Sequence, residues 1–249
     1  MTTDRQRPEP GGTLVVLFGS KAGAGTSAVA ANLAIALRRV ADVRVILLEG
    51  HYDLGNLASL LDLASERHLG QALAGSLAEG LQPHRSGIEV LLRSPEGTAP
   101  TGAQQRSLLE QARAQARYVV VDSPLRYDEL FHALLDAADR ALMVTTPEAT
   151  ALRHGERFLH QADAWGTRAP LGVVVNRWES ESGVEPAQLH ALFGARIVGR
   201  LPSAGRLAVD AANAGRPFVV EASDHPLSRA VVALAEWLHG QPIAERQPR

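Results

Sequence analysis

The chain has 249 residues, 45% hydrophobic and 21% charged, with a formal charge of −2 at pH 7. That size and composition suit one α/β domain with a sizeable buried core and exclude a disordered chain. The near-neutral balance argues against a nonspecific DNA coat. The absence of cysteine excludes disulfides, thiolate metal sites, cysteine-held iron–sulfur clusters and cysteine nucleophiles.

Residues 1–12 lack the apolar core of a signal peptide and are expected to form a disordered leader. Leu14–Phe18 predicts a buried strand. Glycines at 19, 23 and 25 predict a turn, and an apolar-periodic helix follows to Leu37, opened by Thr26 or Ser27. A second strand is expected over Val43–Leu48, short helices over Asn56–Leu61 and Leu69–Ala78, and a strand over Ile88–Leu92. Helix Ala103–Ala116 leads to strand Tyr118–Val121, which ends at Asp122. Helix Glu129–Ala138 leads to strand Ala141–Thr145. Then come helix Glu148–Trp165, strand Leu171–Val175 ending at Asn176, helix Pro186–Phe193, strand Ala195–Val198, helix Gly205–Ala214 and a last amphipathic helix, Pro226–Leu238. Residues 241–249 read as a loose polar tail, which leaves 13–240 as the domain. No apolar run reaches the ~20 residues that span a bilayer, and a cytoplasmic protein is expected.

Strands alternating with helices imply a largely parallel, doubly wound sheet with helices on both faces. Ligands of such sheets lie at the carboxyl ends of the strands. Lys21, His51, Asp122, Asn176 and Pro202 all fall just after predicted strands, which points to a single site. Strand, glycine turn and helix start over Thr13–Leu37 make an anion site, since successive backbone N–H groups and the helix dipole favour negative charge. The usual phosphate loop, G-x-x-x-x-G-K-[ST], would need Gly at Ser20 and Lys at Thr26. Neither is there, and a lysine stands instead at Lys21.

The loop Ser20–Ser27, SKAGAGTS, resembles the deviant phosphate loop of the ParA/MinD class of P-loop ATPases, K-G-G-x-G-K-[ST]. The resemblance continues through NLAIAL after the loop, YVVVDSP at 118–124, LMVTTPE at 142–148, VVVNR at 173–177 and GRLP at 199–202. Within the class, the loop ending G-T-S, LGNLASLLDL at 54–63 and SGIEVLLRSPE at 86–96 are similar to the CpaE/TadZ group of pilus-assembly ATPase-like proteins.

That resemblance implies ATP and Mg²⁺ as ligands and a role for each loop residue: Ser20, Lys21, Ala22, Gly23, Ala24, Gly25, Thr26 and Ser27 would hold the phosphates. Lys21 would contact phosphate across a homodimer with nucleotide between the subunits. Ser27 stands where the Mg²⁺-ligating hydroxyl belongs, and Asp122 where an acid holds the ion through water. Relatives carry D-x-D after the second strand; here the positions are Glu49, a further metal-side carboxylate, and His51, in place of the water-orienting Asp, with Asp53 as a substitute. Asn176 would read the adenine edge, with Arg177 next to it at the strand end among the nucleotide-binding residues and Pro202 in a loop lining the base. The two departures, Thr26 and His51, fall on hydrolysis more than on binding.

The resemblance therefore implies an ATP-binding, dimerising scaffold of pilus or secretion machinery with weak or no hydrolysis, drawn to a pole or membrane complex by protein partners. The alternative is an active ATPase that positions DNA, division or flagellar machinery. A basic DNA surface or Lys/Arg-rich membrane helix is not legible, and the Ala/Val/Leu face of 226–238 reads as core. An ATP-dependent ligase on the same fold would ordinarily keep the loop lysine. Trp165, Trp178 and Trp237 read as core or interface.

Overall fold

A computed structural model describes residues 11–178 and 184–241. In chain order the elements are β1 (Thr13–Gly19), α1 (Thr26–Ala41), β2 (Val45–Glu49), α2 (Leu57–Leu61), α3 (Leu69–Ala74), α4 (Leu77–Gly80), β3 (Leu81–Pro83) and β4 (Glu89–Leu91). They continue with α5 (Gly102–Gln115), β5 (Tyr118–Ser123), α6 (Glu129–Ala137), β6 (Arg140–Thr145), α7 (Ala149–Trp165), β7 (Leu171–Trp178) and α8 (Pro186–Phe193). After a 3-10 turn at Gly194–Arg196 come β8 (Ile197–Pro202), α9 (Arg206–Asn213), α10 (Phe218–Glu221) and α11 (Pro226–His239).

The eight strands form one sheet in the order β3-β4-β2-β5-β1-β6-β7-β8, parallel except for the β3–β4 pair. The strands are apolar on both faces because both faces are covered. Alternation divides each strand between two cores. From β1, Leu14, Val16 and Phe18 enter a core closed by α3 to α8, whereas Val15 and Leu17 enter one closed by α1, α2, α10 and α11. Phe18 is the hub of the first, with Phe158 at 4.7 Å and Phe131 at 5.4 Å, both edge-on. α1 carries the second, with every residue from Val29 to Leu37 buried.

The expected α/β architecture and doubly wound sheet are present, and most boundaries shift by only a residue or two. The expected helix over 69–78 is two helices, because the backbone at Gly75 leaves the helical region and Ser76 restarts the chain, its hydroxyl on Glu79. The expected strand Ala195–Val198 begins at Ile197 instead, since Gly194 at φ 53° breaks the chain into a 3-10 turn. β3 and α10 are absent from the sequence reading. At three and four residues they are too short to show a period. The leader and tail expected at residues 1–12 and 241–249 lie almost wholly outside the described residues. Among the described residues no helix is long and apolar enough to cross a membrane.

Candidate nucleotide site

β1 and β5 lie side by side at the centre of the sheet, so the loop after β1 and Asp122 near the end of β5 meet at one edge. The loop opens into a cleft of about 910 Å³ lined by Gly19 to Ala28, with His51 and residues 123–125 on one side. That volume is in the range of pockets that take a cofactor-sized ligand.

The loop is shaped by glycine where a side chain would not fit. Gly23 and Gly25 have φ of 78° and 88°, in the left-handed region. A Cβ on Gly25 would lie 2.4 Å from the Asn176 amide nitrogen. Gly25 also takes the N-cap position of α1, where Ser or Thr would ordinarily cap, and no side chain bonds the first-turn amides. α1 therefore starts at Thr26 with Ser27 inside its first turn, and its N–H groups and positive dipole end face the cleft.

Lys21 reaches across the loop to Glu148, Nζ to Oε2 at 2.5 Å, at the start of α7. The Lys21 hydrogen bond holds the Glu148 carboxyl below its ordinary range. The lysine is 28% exposed and its partner 50%. Water screens such a pair, so a triphosphate could draw the cation away. Thr26 turns inward: a Cβ on Gly19 would lie 2.6 Å from its Oγ1.

Asp122 is fully buried, and neither carboxylate oxygen has a hydrogen-bond partner. Burial, reinforced by the neighbouring Glu49 carboxylate and opposed by the Ser27 hydroxyl beside it, pushes its pKa up to about 7. His51 Nε2 is also buried without a hydrogen-bond partner, 3.7 Å from Asp122 Oδ1. Burial, and then the charge of Arg126, lower the His51 pKa, so the imidazole is neutral at pH 7. An unpaired buried carboxylate beside a serine hydroxyl and a row of uncapped amides is a donor set that fits Mg²⁺ with phosphate.

Several residues are placed otherwise than the sequence led us to expect. Glu49 spends both oxygens on backbone amides, those of Leu57 and Arg93, each at 2.9 Å. It is a brace between β2 and the loops around it, which is the physical reason it does not present a free carboxylate to a metal. Glu49→Ala should lower thermal stability by about 2 kcal/mol, read by a melting curve, because both amides lose a charged acceptor. Ser20 bonds Thr145 Oγ1 at 2.9 Å and anchors the loop to β6.

Asn176 is buried and donates to the Ala24 carbonyl at 2.8 Å, holding the loop from behind. Arg177 stands exposed at φ 55°, and Pro202 ends β8 opposite Trp178; none of these three lines the cleft. Asp53 is exposed and lies outside the lining. The cleft's other walls carry no motif. Leu54, 83% exposed, and Asn56, Ser59 and Leu60 approach from the α2 side. Tyr127, 61% exposed, and His154 stand beyond the β5 loop, and Ala212 and Asn213 end α9. Leu54, Asn56 and Tyr127 stand in loops after strands, which is their one legible signal; Ser59, Leu60, His154, Ala212 and Asn213 lie in helices and have none.

No model of a protein family matches the chain. It is 26% identical over 245 residues to the septum site-determining protein MinD of Synechocystis, covering 92% of this chain and 90% of that protein. Among solved structures, a ParA family ATPase of Chlorobium tepidum superposes with a TM-score of 0.83 at 20% identity, covering 90% of this chain and 98% of that one. The septum site-determining protein MinD of Pyrococcus horikoshii, complexed with Mg-ADP, gives 0.80 at 18% identity, covering 92% and 96%. The sequence similarity spans nearly the whole length of this chain and of its relative, and the fold is that of MinD/ParA P-loop proteins.

Proposed function

We propose that this chain, a P-loop protein of the MinD/ParA class, binds ATP with Mg²⁺ in the cleft over α1 and closes as a face-to-face homodimer on the bound nucleotide. In this reading it acts as a positioning scaffold of the CpaE/TadZ type in pilus or secretion-machine assembly, with slow or no hydrolysis. Its domain is residues 13–240, and partners recruit it from the cytoplasm to a pole or membrane complex. The observation that carries the binding half is the Asp122 carboxylate, buried and unpartnered beneath an uncapped helix start. Support for the weak-hydrolysis half comes from Thr26, a neutral side chain where a phosphate loop carries its lysine, and from the neutral His51 at the water-orienting position.

The roles follow from the placements. Amides of residues 22–27 would cradle phosphate oxygens; Ser27, with Asp122 through water, would hold the metal. Mg²⁺ would neutralise β- and γ-phosphate charge there. Lys21 would leave Glu148 for phosphate across the dimer. Asn176 would serve by fixing the loop, and Arg177 and Pro202, which stand outside the cleft lining here, would have to flank the base from beyond it. Sedimentation tests the dimer: with ATP and Mg²⁺ the mass should double, and Lys21→Ala should remain monomeric. A wild-type chain that stays monomeric with saturating nucleotide refutes the dimer.

The 26% identity with Synechocystis MinD favours a second reading, an active ATPase that positions division, DNA or flagellar machinery. Steady-state phosphate release separates the two. Turnover at ordinary family rates that Lys21→Ala removes would establish the second.

A further inference from the structure

The sheet treats its two edges differently. At one end β3 is three residues long, runs antiparallel and finishes in Pro83. A short edge strand carrying proline offers little to a passing chain. At the other end β8 has six residues and is bonded to β7 alone, with no strand on its outer side among the described residues.

Both faces of β8 are packed, Ile197 against one core, Val198 and the fully buried Leu201 against the other. What stays open is the edge. Beside it lies a groove of about 410 Å³, lined by Ile197 to Arg200, His190 of α8 and Gly194. A bulge at Val198 twists the strand, Gly199 and Arg200 return to register with Val174 and Val175, and the register shifts once more before Trp178 pairs with Pro202. The Arg200 guanidinium sits 6.0 Å over the Trp178 ring, and no carboxylate pairs with it among the described residues. Among the described residues the lining holds an arginine and a histidine and no acid.

We propose that the outer edge of β8 receives an extended segment of a partner protein as a ninth strand, with an acidic side chain set against Arg200. Main-chain hydrogen bonds would supply the affinity, and alternate side chains the selectivity. The charge of the groove selects this occupant. A second copy of the chain would bring its own Arg200 and His190 against the same pair. The proposal does not depend on nucleotide binding.

The test is a display library of random twelve-residue peptides panned on the full chain, with Arg200→Glu as the parallel target. Peptides enriched on the wild type should carry Asp or Glu and bind Arg200→Glu about tenfold or more weakly, one charge-assisted contact being lost and a repulsion added. N-methylation of their alternate amides should abolish binding with a period of two, and the bound peptide should slow amide exchange in residues 197–201. A melting curve and circular dichroism on Arg200→Glu establish that it folds. Enrichment no different between the two targets, or binders that tolerate N-methylation at every position, would overturn the proposal.

Discussion

Replacing Asp122 by asparagine is expected to stabilise the free protein while abolishing Mg²⁺-dependent nucleotide binding. The two effects share one cause. Asp122 is fully buried without a hydrogen-bond partner, and its pKa rises from 3.8 to about 7 in the fold. A raised carboxyl pKa means the folded state holds its proton more tightly than the unfolded chain. Below pH 3.8 both states are protonated and the group costs nothing. As pH rises, the unfolded chain ionises first, and above pH 7 the full cost is present. A shift of that size corresponds to a penalty of up to ~4 kcal/mol, of which an asparagine imperfectly hydrogen-bonded in the same place would recover ~2 kcal/mol. Melting curves should therefore show Asp122→Asn more stable than the wild type at pH 8, with the gap closing towards pH 4. Addition of ATP and Mg²⁺ should raise the melting temperature of the wild type alone. A variant less stable at pH 8, or one that keeps the Mg²⁺-dependent rise, would remove Asp122 from the metal side of the site.

Thr26→Lys should act in the opposite direction on activity. The loop's one cation, Lys21, is held by Glu148, and position 26 carries none. A lysine at position 26 adds a charge-assisted contact within the same loop, worth ~1.5–3 kcal/mol, or about tenfold or more in affinity. If that charge also strengthens in the transition state, phosphate release should rise about 10²-fold, the scale on which a single stabilising donor acts. Thr26 packs against Gly19, so the lysine stem must leave over the loop rather than occupy the threonine's place. Calorimetry and phosphate release on the same preparation read both effects. Tighter binding without faster release would assign the residual defect to His51; no change in either would show that position 26 does not face the phosphates.

Much of this was legible in the residues. Runs such as Tyr118–Val121 and Val173–Val175 announce buried parallel strands, and glycines at 19, 23 and 25 announce a loop whose backbone needs room. The places of Lys21, Ser27 and Asp122 followed from their distance to strand ends, because in a parallel sheet those ends share one edge. Partnership was not legible. Glu49 and Asn176 occupy positions where a ligand-binding role is expected, yet one accepts from the amides of Leu57, at the start of α2, and Arg93, and the other bonds Ala24. A motif fixes which residue stands at a strand end but not which nearby backbone group claims its polar atoms. The walls contributed by Leu54, Tyr127 and Asn213 come from three distant segments, and only the folded chain brings them together.

That this site grips ATP and cuts it poorly is tested most directly by a single-turnover measurement. The chain in excess over γ-labelled ATP, with Mg²⁺, should retain the label on the protein as intact ATP over minutes. Prompt conversion of the bound label to phosphate, lost in Lys21→Ala, would contradict it.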